Sequence, residues 1–122
     1  MKLIYVASPY AGDIERNMKF AKEACRLVMN EGHAFFAPHL LYPQVLDDGC
    51  PEERQLGLDM GKKMLTSCDE LWAFGDFISP GMKGEIDMAT QCNIPVKYVM
   101  LQEMAEKERP FAERHLFCSM QM

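Results

Sequence analysis

The chain has 122 residues, 48% of them hydrophobic, and a formal net charge of -5 at pH 7. That length suits one domain with a single hydrophobic core and is too short for two. The acidic charge argues against a nucleic-acid-binding surface, and no apolar stretch approaches the roughly 20 residues of a membrane span. We therefore expect one soluble domain over residues 1–122, with neither nucleic acid nor membrane as a partner.

The cysteines and the N-terminus indicate a reducing compartment. Five cysteines occur without any CxxC pair, so the sequence predicts neither a disulfide framework nor a zinc site. Residues 1–6 are too few and too strand-like for a signal peptide. We expect a cytoplasmic protein that needs no metal.

The first part of the chain predicts a parallel βαβ unit. Residues 3–7 form a β-rich run, and Asp13 can cap a helix whose apolar positions are spaced three and four apart. Gly32 can end that helix, and residues 33–37 form the next apolar run. A strand, a helix and a strand in such short order predict parallel pairing.

The middle of the chain predicts a long loop and then a helix. Segment 38–49 contains prolines and large side chains, which favour a packed lid or pocket wall. A helix is expected from Pro51 to about residue 67. Gly57 and Gly61 lie four apart on it, and because helical glycine costs roughly 1 kcal/mol relative to alanine, a neighbouring helix or a ligand should approach closely. Its apolar stripes are predicted to be Leu56, Met60 and Met64 on one face, and Leu58 and Leu65 on another.

The remaining elements complete an α/β fold. Residues 69–74 predict a third strand, residues 81–92 a helix, and residues 95–101 a fourth strand. Residues 101–122 are interpreted as a helical extension, with a charged segment over 102–109 and a last helix from residue 110. We expect a three-layer sandwich with a four- or five-stranded parallel sheet.

The stretch between the third strand and the following helix carries the strongest chemical signal. In an open α/β sheet, ligands bind at the carboxyl ends of strands, beside helix N-termini. Glu85 lies there beside the inward stripe of Met82 and Ala89. It can be a nucleophile or base, since carboxylates can attack an anomeric carbon, or it can simply stabilise the helix dipole.

Other residues nearby leave alternatives open. Ser79 and Gly81 can seat a phosphate at the helix N-terminus, although serine is also a common N-cap. No Walker or GxGxxG sequence occurs, so neither a nucleoside triphosphate nor a dinucleotide cofactor is predicted. His39, in a proline-flanked loop, can be a ligand-facing group or an ordinary packing residue.

Four stretches together resemble the nucleoside 2-deoxyribosyltransferase-like superfamily, most closely its short bacterial and phage-associated members, over roughly residues 3–100. They are Ile4-Tyr5-Val6-Ala7-Ser8-Pro9-Tyr10, Ala37-Pro38-His39-Leu40, Cys68-Asp69-Glu70-Leu71-Trp72-Ala73-Phe74-Gly75 and Ile78-Ser79-Pro80-Gly81-Met82-Lys83-Gly84-Glu85-Ile86. The last stretch is the most specific of them. The resemblance implies a flavodoxin-like, Rossmann-like fold and cleavage or exchange of an N-glycosidic bond.

The resemblance also implies roles for particular residues. Glu85 matches the family's catalytic glutamate, which attacks C1′, and Tyr5 matches a tyrosine beside it. Ser79 falls where the nucleotide hydrolases have a phosphate-contacting serine, and Gly81 would allow close approach to the sugar or phosphate. The further candidate substrate-binding residues are Ser8, Tyr10, His39, Asp59 and Met82.

One position departs from the family pattern. The second acid, which assists the leaving base, is expected eight residues before Asp69, and that position holds Gly61. Asp59 is two residues away, about 200° around a helix, and would replace the acid only if the helix register differed locally.

Three functions follow as hypotheses. The first is an N-glycosidase or deoxyribosyltransferase that acts without a cofactor on a nucleoside or nucleoside 5′-monophosphate. The second is a binding module that holds a nucleotide or sugar phosphate without turning it over, which Gly61 favours. The third is an interaction protein that uses its apolar C-terminal segment. Family resemblance implies a homodimer or larger homo-oligomer.

Overall fold

The computed structural model describes residues 1–106, and these form an α/β fold with strands and helices in near alternation. The strands are β1 (Leu3–Ala7), β2 (Ala34–Phe36), β3 (Glu70–Phe74) and β4 (Val96–Val99). The helices are α1 (Ile14–Asn30), α2 (Pro38–Leu41), α3 (Pro51–Leu65), α4 (Pro80–Gln91) and α5 (Leu101–Glu106). All strand pairs are parallel, and the order across the sheet is β2-β1-β3-β4.

The sheet separates two hydrophobic cores because successive strand residues point to opposite faces. On one face, Ile4 and Val6 of β1 pack with Val28 of α1. On the other, Tyr5 of β1 packs in the same cluster as Met82 of α4. The three-layer sandwich with a parallel sheet is thus confirmed, with four strands in the part of the chain that the structure describes.

Helix α1 begins and ends where the sequence predicts. The Asp13 side chain caps it by accepting a hydrogen bond from the Arg16 backbone nitrogen at 3.2 Å. At the other end Gly32 has φ +87°, a left-handed conformation that glycine adopts without the strain a side chain would add.

Two boundaries differ from the sequence predictions. The segment after β2 is not a plain loop, because it forms α2 and then a 3-10 turn at Tyr42–Gln44. Strand β4 ends at Val99 rather than at residue 101. The backbone nitrogen of Leu101 donates instead to Asp76 Oδ1 at 2.9 Å and begins α5.

The apolar stripes of α3 are exposed in its first half. Leu56 and Leu58 are 49% and 62% exposed, and only Gly61 and Leu65 of α3 are buried. The first turns of α3 border an open cavity, and Leu58 lines it.

The predicted last helix and most of the C-terminal extension lie outside the described residues. None of the helices within residues 1–106 has the length and apolar character that a bilayer crossing requires. The cysteines in this range, Cys25, Cys50, Cys68 and Cys92, are free thiols. The same residues contain no cluster of three or more side chains that could hold a metal ion.

Candidate active site

A cavity of about 590 Å³ opens beside the carboxyl ends of the central strands. From β1 the chain passes to β2 on one side, and from β3 it passes to β4 on the other. The connections therefore diverge between β1 and β3, and such a switch point is where open α/β sheets bind ligands. The cavity walls come from β1 and the loop after it, from the segment 38–48, from α3 and from the start of α4.

Glu85 and Tyr5 meet in this cavity. The Tyr5 hydroxyl donates a hydrogen bond to Glu85 Oε2 at 2.5 Å. Glu85 Oε1 is buried and has no hydrogen-bond partner among residues 1–106. Because buried polar atoms are nearly always paired in native proteins, this oxygen is the group best placed to react with or bind a ligand.

Burial controls the charge of this pair. It raises the pKa of Glu85 to about 7, and the hydrogen bond from Tyr5 opposes the rise. Burial and the neighbouring Glu85 charge also raise the pKa of Tyr5, which keeps its proton and remains a donor. At neutral pH the carboxyl group is therefore poised between its acid and its nucleophilic form.

Tyr10 and His39 form a flat aromatic part of the wall. Their rings stack with centroids 5.0 Å apart and planes inclined by 23°. Burial lowers the pKa of His39, while a hydrogen bond to the Ser8 backbone and the Asp48 charge oppose that effect. The result favours a neutral imidazole at neutral pH.

The two glycines of α3 admit protein side chains rather than a second helix. A Cβ on Gly57 would lie 3.1 Å from Leu46 Cδ1, and one on Gly61 would lie 3.5 Å from the Tyr5 hydroxyl. Both glycines also line the cavity, and the absent side chain of Gly61 leaves space beside the Tyr5 hydroxyl.

Six of the nine residues predicted for the site line this one cavity, namely Tyr5, Tyr10, His39, Asp59, Gly81 and Glu85. Asp59 is exposed and accepts a hydrogen bond from Gln55 Nε2 at 3.0 Å. The structure does not bring the other three to the wall. Ser8 is 1% exposed, Met82 is fully buried in the core, and Ser79 Oγ caps α4 by accepting from the Met82 backbone nitrogen at 3.2 Å.

Sequence reasoning missed several polar residues of the cavity wall. Asp48 comes from segment 38–49, which was predicted as a pocket wall and also supplies Tyr42, and Glu53, Arg54 and Lys62 come from α3. Helical spacing could have predicted the α3 residues. Positions 54, 58 and 62 are each one turn apart and lie near the face that carries the glycines.

Comparison with known proteins identifies a family and a fold. A family model described as a domain of unknown function, DUF7768, matches residues 2–99. No curated protein matches the chain by sequence.

Solved structures share the fold at low sequence identity. The chain is similar to a 2-deoxyribosyltransferase from Bacillus psychrosaccharolyticus, with a TM-score of 0.70 and 17% identity over 92% of this chain and 95% of that one. A 2-deoxyribosyltransferase from Leishmania mexicana aligns with a TM-score of 0.59 and 16% identity over 82% of this chain. A conserved protein from Enterococcus faecalis V583 aligns with a TM-score of 0.55 and 20% identity over 80%. This chain spans 65% and 62% of the latter two.

Proposed function

The chain belongs to the DUF7768 family and has a nucleoside 2-deoxyribosyltransferase-like fold, and from that premise we propose that it is an enzyme. Its reaction breaks the N-glycosidic bond of a nucleoside or nucleoside 5′-monophosphate. The observation that supports this most is the buried pair of Tyr5 and Glu85 in the cavity at the switch point of the sheet.

Glu85 is the nucleophile in this proposal. Its carboxylate attacks C1′, the bond from C1′ to the base nitrogen breaks, and a glycosyl ester of Glu85 forms. Tyr5 holds Oε2 through its hydroxyl, which leaves Oε1 free for attack. Water then releases the sugar, or a second base accepts it.

The cavity also supplies suitable surroundings for a nucleoside. The stacked rings of Tyr10 and His39 offer a flat face for a base. Gly81 lines the wall at the first turn of α4, where it allows a sugar or phosphate to approach the backbone. Ser79 is the candidate phosphate contact, although its hydroxyl also caps the helix.

The test is release of free base from a panel of nucleosides and nucleoside 5′-monophosphates. We expect Glu85→Gln to lower kcat/KM by at least about 10³-fold, because a nucleophile is lost. The matched control is Asp87→Asn, an exposed acid on the same helix that does not line the cavity. If no compound in the panel is consumed at high enzyme concentration, the enzymatic proposal fails.

A second candidate function is a binding module that holds a nucleotide or sugar phosphate intact. Gly61 favours it, because no side chain from that position faces Tyr5 and Glu85. A ligand that raises the melting temperature and is recovered unchanged after long incubation would support binding alone.

The proposed function also includes a cellular compartment and an oligomeric state. We propose a cytoplasmic protein that acts on a small molecule without a cofactor and forms a homodimer or larger homo-oligomer. An interaction protein that works through the apolar C-terminal segment would be favoured if no small molecule stabilised the fold.

A further inference from the structure

We propose that the base of the substrate is a flat, positively charged heterocycle, such as an N7-alkylated purine or a pyridinium, that leaves C1′ without being protonated. This inference rests on the proposed function and names the substrate class of the same site. Three features of the cavity carry it: the face of α3 beside the nucleophile, the charges of the wall and the aromatic rings.

The face of α3 beside the nucleophile carries no proton donor. Gly61 is the α3 residue next to the Tyr5 hydroxyl, and its neighbours one turn away are Gly57 and Leu65. None of these three has a titratable group. A neutral base normally departs as a protonated or hydrogen-bonded species, and a positioned acid contributes about 10²–10⁴-fold to such a step.

Two further candidate donors near the nucleophile, Tyr5 and Asp59, are already hydrogen-bonded or lie on another face of α3. Tyr5 uses its hydroxyl proton in the hydrogen bond to Glu85. Asp59 is exposed, accepts a hydrogen bond from Gln55 and lies about 200° around α3 from Gly61. A base that already carries positive charge removes the need for a donor.

The described residues of the cavity wall have an excess of negative charge, which attracts a cation. Two basic side chains, Arg54 and Lys62, line it. Four carboxyl groups do so as well, namely Asp48, Glu53, Asp59 and Glu85. Opposite charge a few ångströms away favours the ionised form of a carboxyl group, so a cationic base would also promote the carboxylate of Glu85.

The aromatic rings of the wall suit the same ligand. Tyr10 and His39 are stacked, and Tyr42 also lines the cavity, with its ring 5.9 Å from that of Phe36. A cation over an aromatic face gains roughly 0.5–2 kcal/mol. Carboxylates with aromatic faces form an environment that prefers a charged ring to its neutral analogue.

The glycosidic bond of such a substrate can break without proton transfer to the base. A carboxylate oxygen of Glu85 forms a bond to C1′ as the bond from C1′ to the ring nitrogen breaks. The electron pair of the broken bond passes to that nitrogen and neutralises the positive charge of the base. Water later attacks C1′, the carboxylate leaves with its electron pair, and the water proton passes to Glu85 or to solvent.

The test compares 7-methylguanosine with guanosine, and 7-methyl-2′-deoxyguanosine with 2′-deoxyguanosine, at equal enzyme concentration. We expect kcat/KM for the methylated member of at least one pair to exceed that of its partner by about 10²-fold or more, the contribution of the missing acid. Equal turnover of the methylated and unmethylated nucleosides in both pairs would overturn the inference and leave the proposed function standing.

A substitution at Gly61 tests whether the lack of an acid at this position causes the preference for the methylated nucleoside. The site has room for a side chain, because a Cβ there would make an ordinary 3.5 Å contact. We expect Gly61→Asp to reduce the preference for the methylated nucleoside by about tenfold or more, because kcat/KM for the neutral nucleoside should rise. The isosteric Gly61→Asn, which has no acid, should leave the preference unchanged, and an equal effect of both variants would contradict the proposal.

Ligand binding tests the preference for a cationic ring even if no nucleoside is consumed. That lack of turnover would contradict the proposed function. We expect 1-methylnicotinamide, a cation, to raise the melting temperature more than neutral nicotinamide does. Asp59→Asn should reduce this difference, whereas Asp87→Asn, outside the cavity, should not. No preference for the cation would overturn the inference independently of catalysis.

Discussion

At the scale of single residues, the two carboxyl oxygens of Glu85 differ, because only one of them has a hydrogen-bond partner among the described residues. Oε2 accepts the Tyr5 proton at 2.5 Å, while Oε1 is buried without a partner among the described residues. Burial favours the neutral acid and the Tyr5 hydrogen bond favours the carboxylate, which brings the pKa to about 7. Glu85 is therefore a titratable carboxyl group whose ionisation its neighbours adjust, which suits the nucleophile proposed above.

Catalysis should depend on this ionisation. Attack on C1′ requires the carboxylate, which is populated above the pKa of Glu85, so kcat/KM should rise with pH through about 7. A profile of kcat/KM against pH between about 5 and 9 measures it. Activity that falls as pH rises through that range would contradict the carboxylate as the nucleophile.

The same titration should affect stability in the opposite direction. The pKa of Glu85 is about 7 when folded and 4.5 ordinarily, so between these values the unfolded chain loses its proton first. The contribution of Glu85 to the free energy of unfolding is therefore greatest below about pH 4.5 and falls by up to about 3 kcal/mol as pH rises to about 7. Glu85→Gln cannot ionise, so its melting temperature relative to the parent should increase from about pH 4.5 to about pH 8. A pH-independent difference would count against the burial of this charge.

Tyr5 should act on Glu85 as a positioning residue through its hydroxyl. Tyr5→Phe removes a hydrogen bond to a charged group, worth roughly 1.5–3 kcal/mol, so kcat/KM should fall by about 10- to 100-fold. Because that bond lowers the pKa of Glu85, the activity profile should also move to higher pH. Tyr98→Phe, at a half-exposed position of β4, is the matched control. Unchanged activity and profile in Tyr5→Phe would remove Tyr5 from the mechanism.

At the scale of elements, Ser79 caps the N-terminus of α4, and Gly81 and Gly84 of this helix line the cavity. Ser79→Ala removes the N-cap, so the free energy of unfolding should fall by about 1 kcal/mol. If Ser79 also contacts a phosphate, kcat/KM should drop further for a nucleoside 5′-monophosphate than for the corresponding nucleoside. An equal drop for both substrates would leave Ser79 with the capping role alone.

The helical glycines should differ in their response to alanine. Gly84 has no atom within 4 Å of a Cβ, so Gly84→Ala should stabilise α4 by about 0.5–1 kcal/mol. Gly57 would place its Cβ 3.1 Å from Leu46 Cδ1, so Gly57→Ala should gain less or lose stability. Chemical denaturation of both variants measures this order, and the reverse order would show that Leu46 does not constrain α3.

At the scale of the whole molecule, strand order creates the site. The order β2-β1-β3-β4 places the diverging connections of β1 and β3 side by side, and the cavity opens there. One wall, the first half of α3, carries Leu56 and Leu58 exposed to solvent. A neighbouring subunit on this wall would cover both leucines and border the cavity.

Assembly remains a prediction at this scale. We expect sedimentation to show a homodimer or larger assembly, and Leu58→Glu to weaken it, because the charge would have to be buried between subunits. Glu23→Ala, an exposed change on α1 across the sheet, should leave assembly unchanged. A monomer at every concentration would overturn the expected homo-oligomer.

The local elements were predictable because their signals are local. Asp13 and Gly32 bound α1 through capping and left-handed backbone, and the continuous apolar runs at residues 3–7 and 71–74 predict buried strands. The stripes of α3 were not predictable, because exposure of Leu56 and Leu58 depends on what lies opposite them. For Ser79 the sequence left the N-cap and the phosphate contact open, and only the structure shows that its Oγ accepts a hydrogen bond from the Met82 backbone nitrogen.

By itself, the sequence determined the order of strands and helices, the parallel α/β architecture and Glu85 as the leading candidate. The family resemblance implied a tyrosine beside this glutamate, but only the tertiary structure shows that the Tyr5 hydroxyl, eighty positions away, donates to Glu85 and that Gly61 leaves space next to it. The physical reason is that helix and strand periodicity depends on neighbours three, four or two residues apart. The ionisation and reactivity of a buried carboxyl group depend instead on atoms that strand pairing and helix packing bring together from distant parts of the chain.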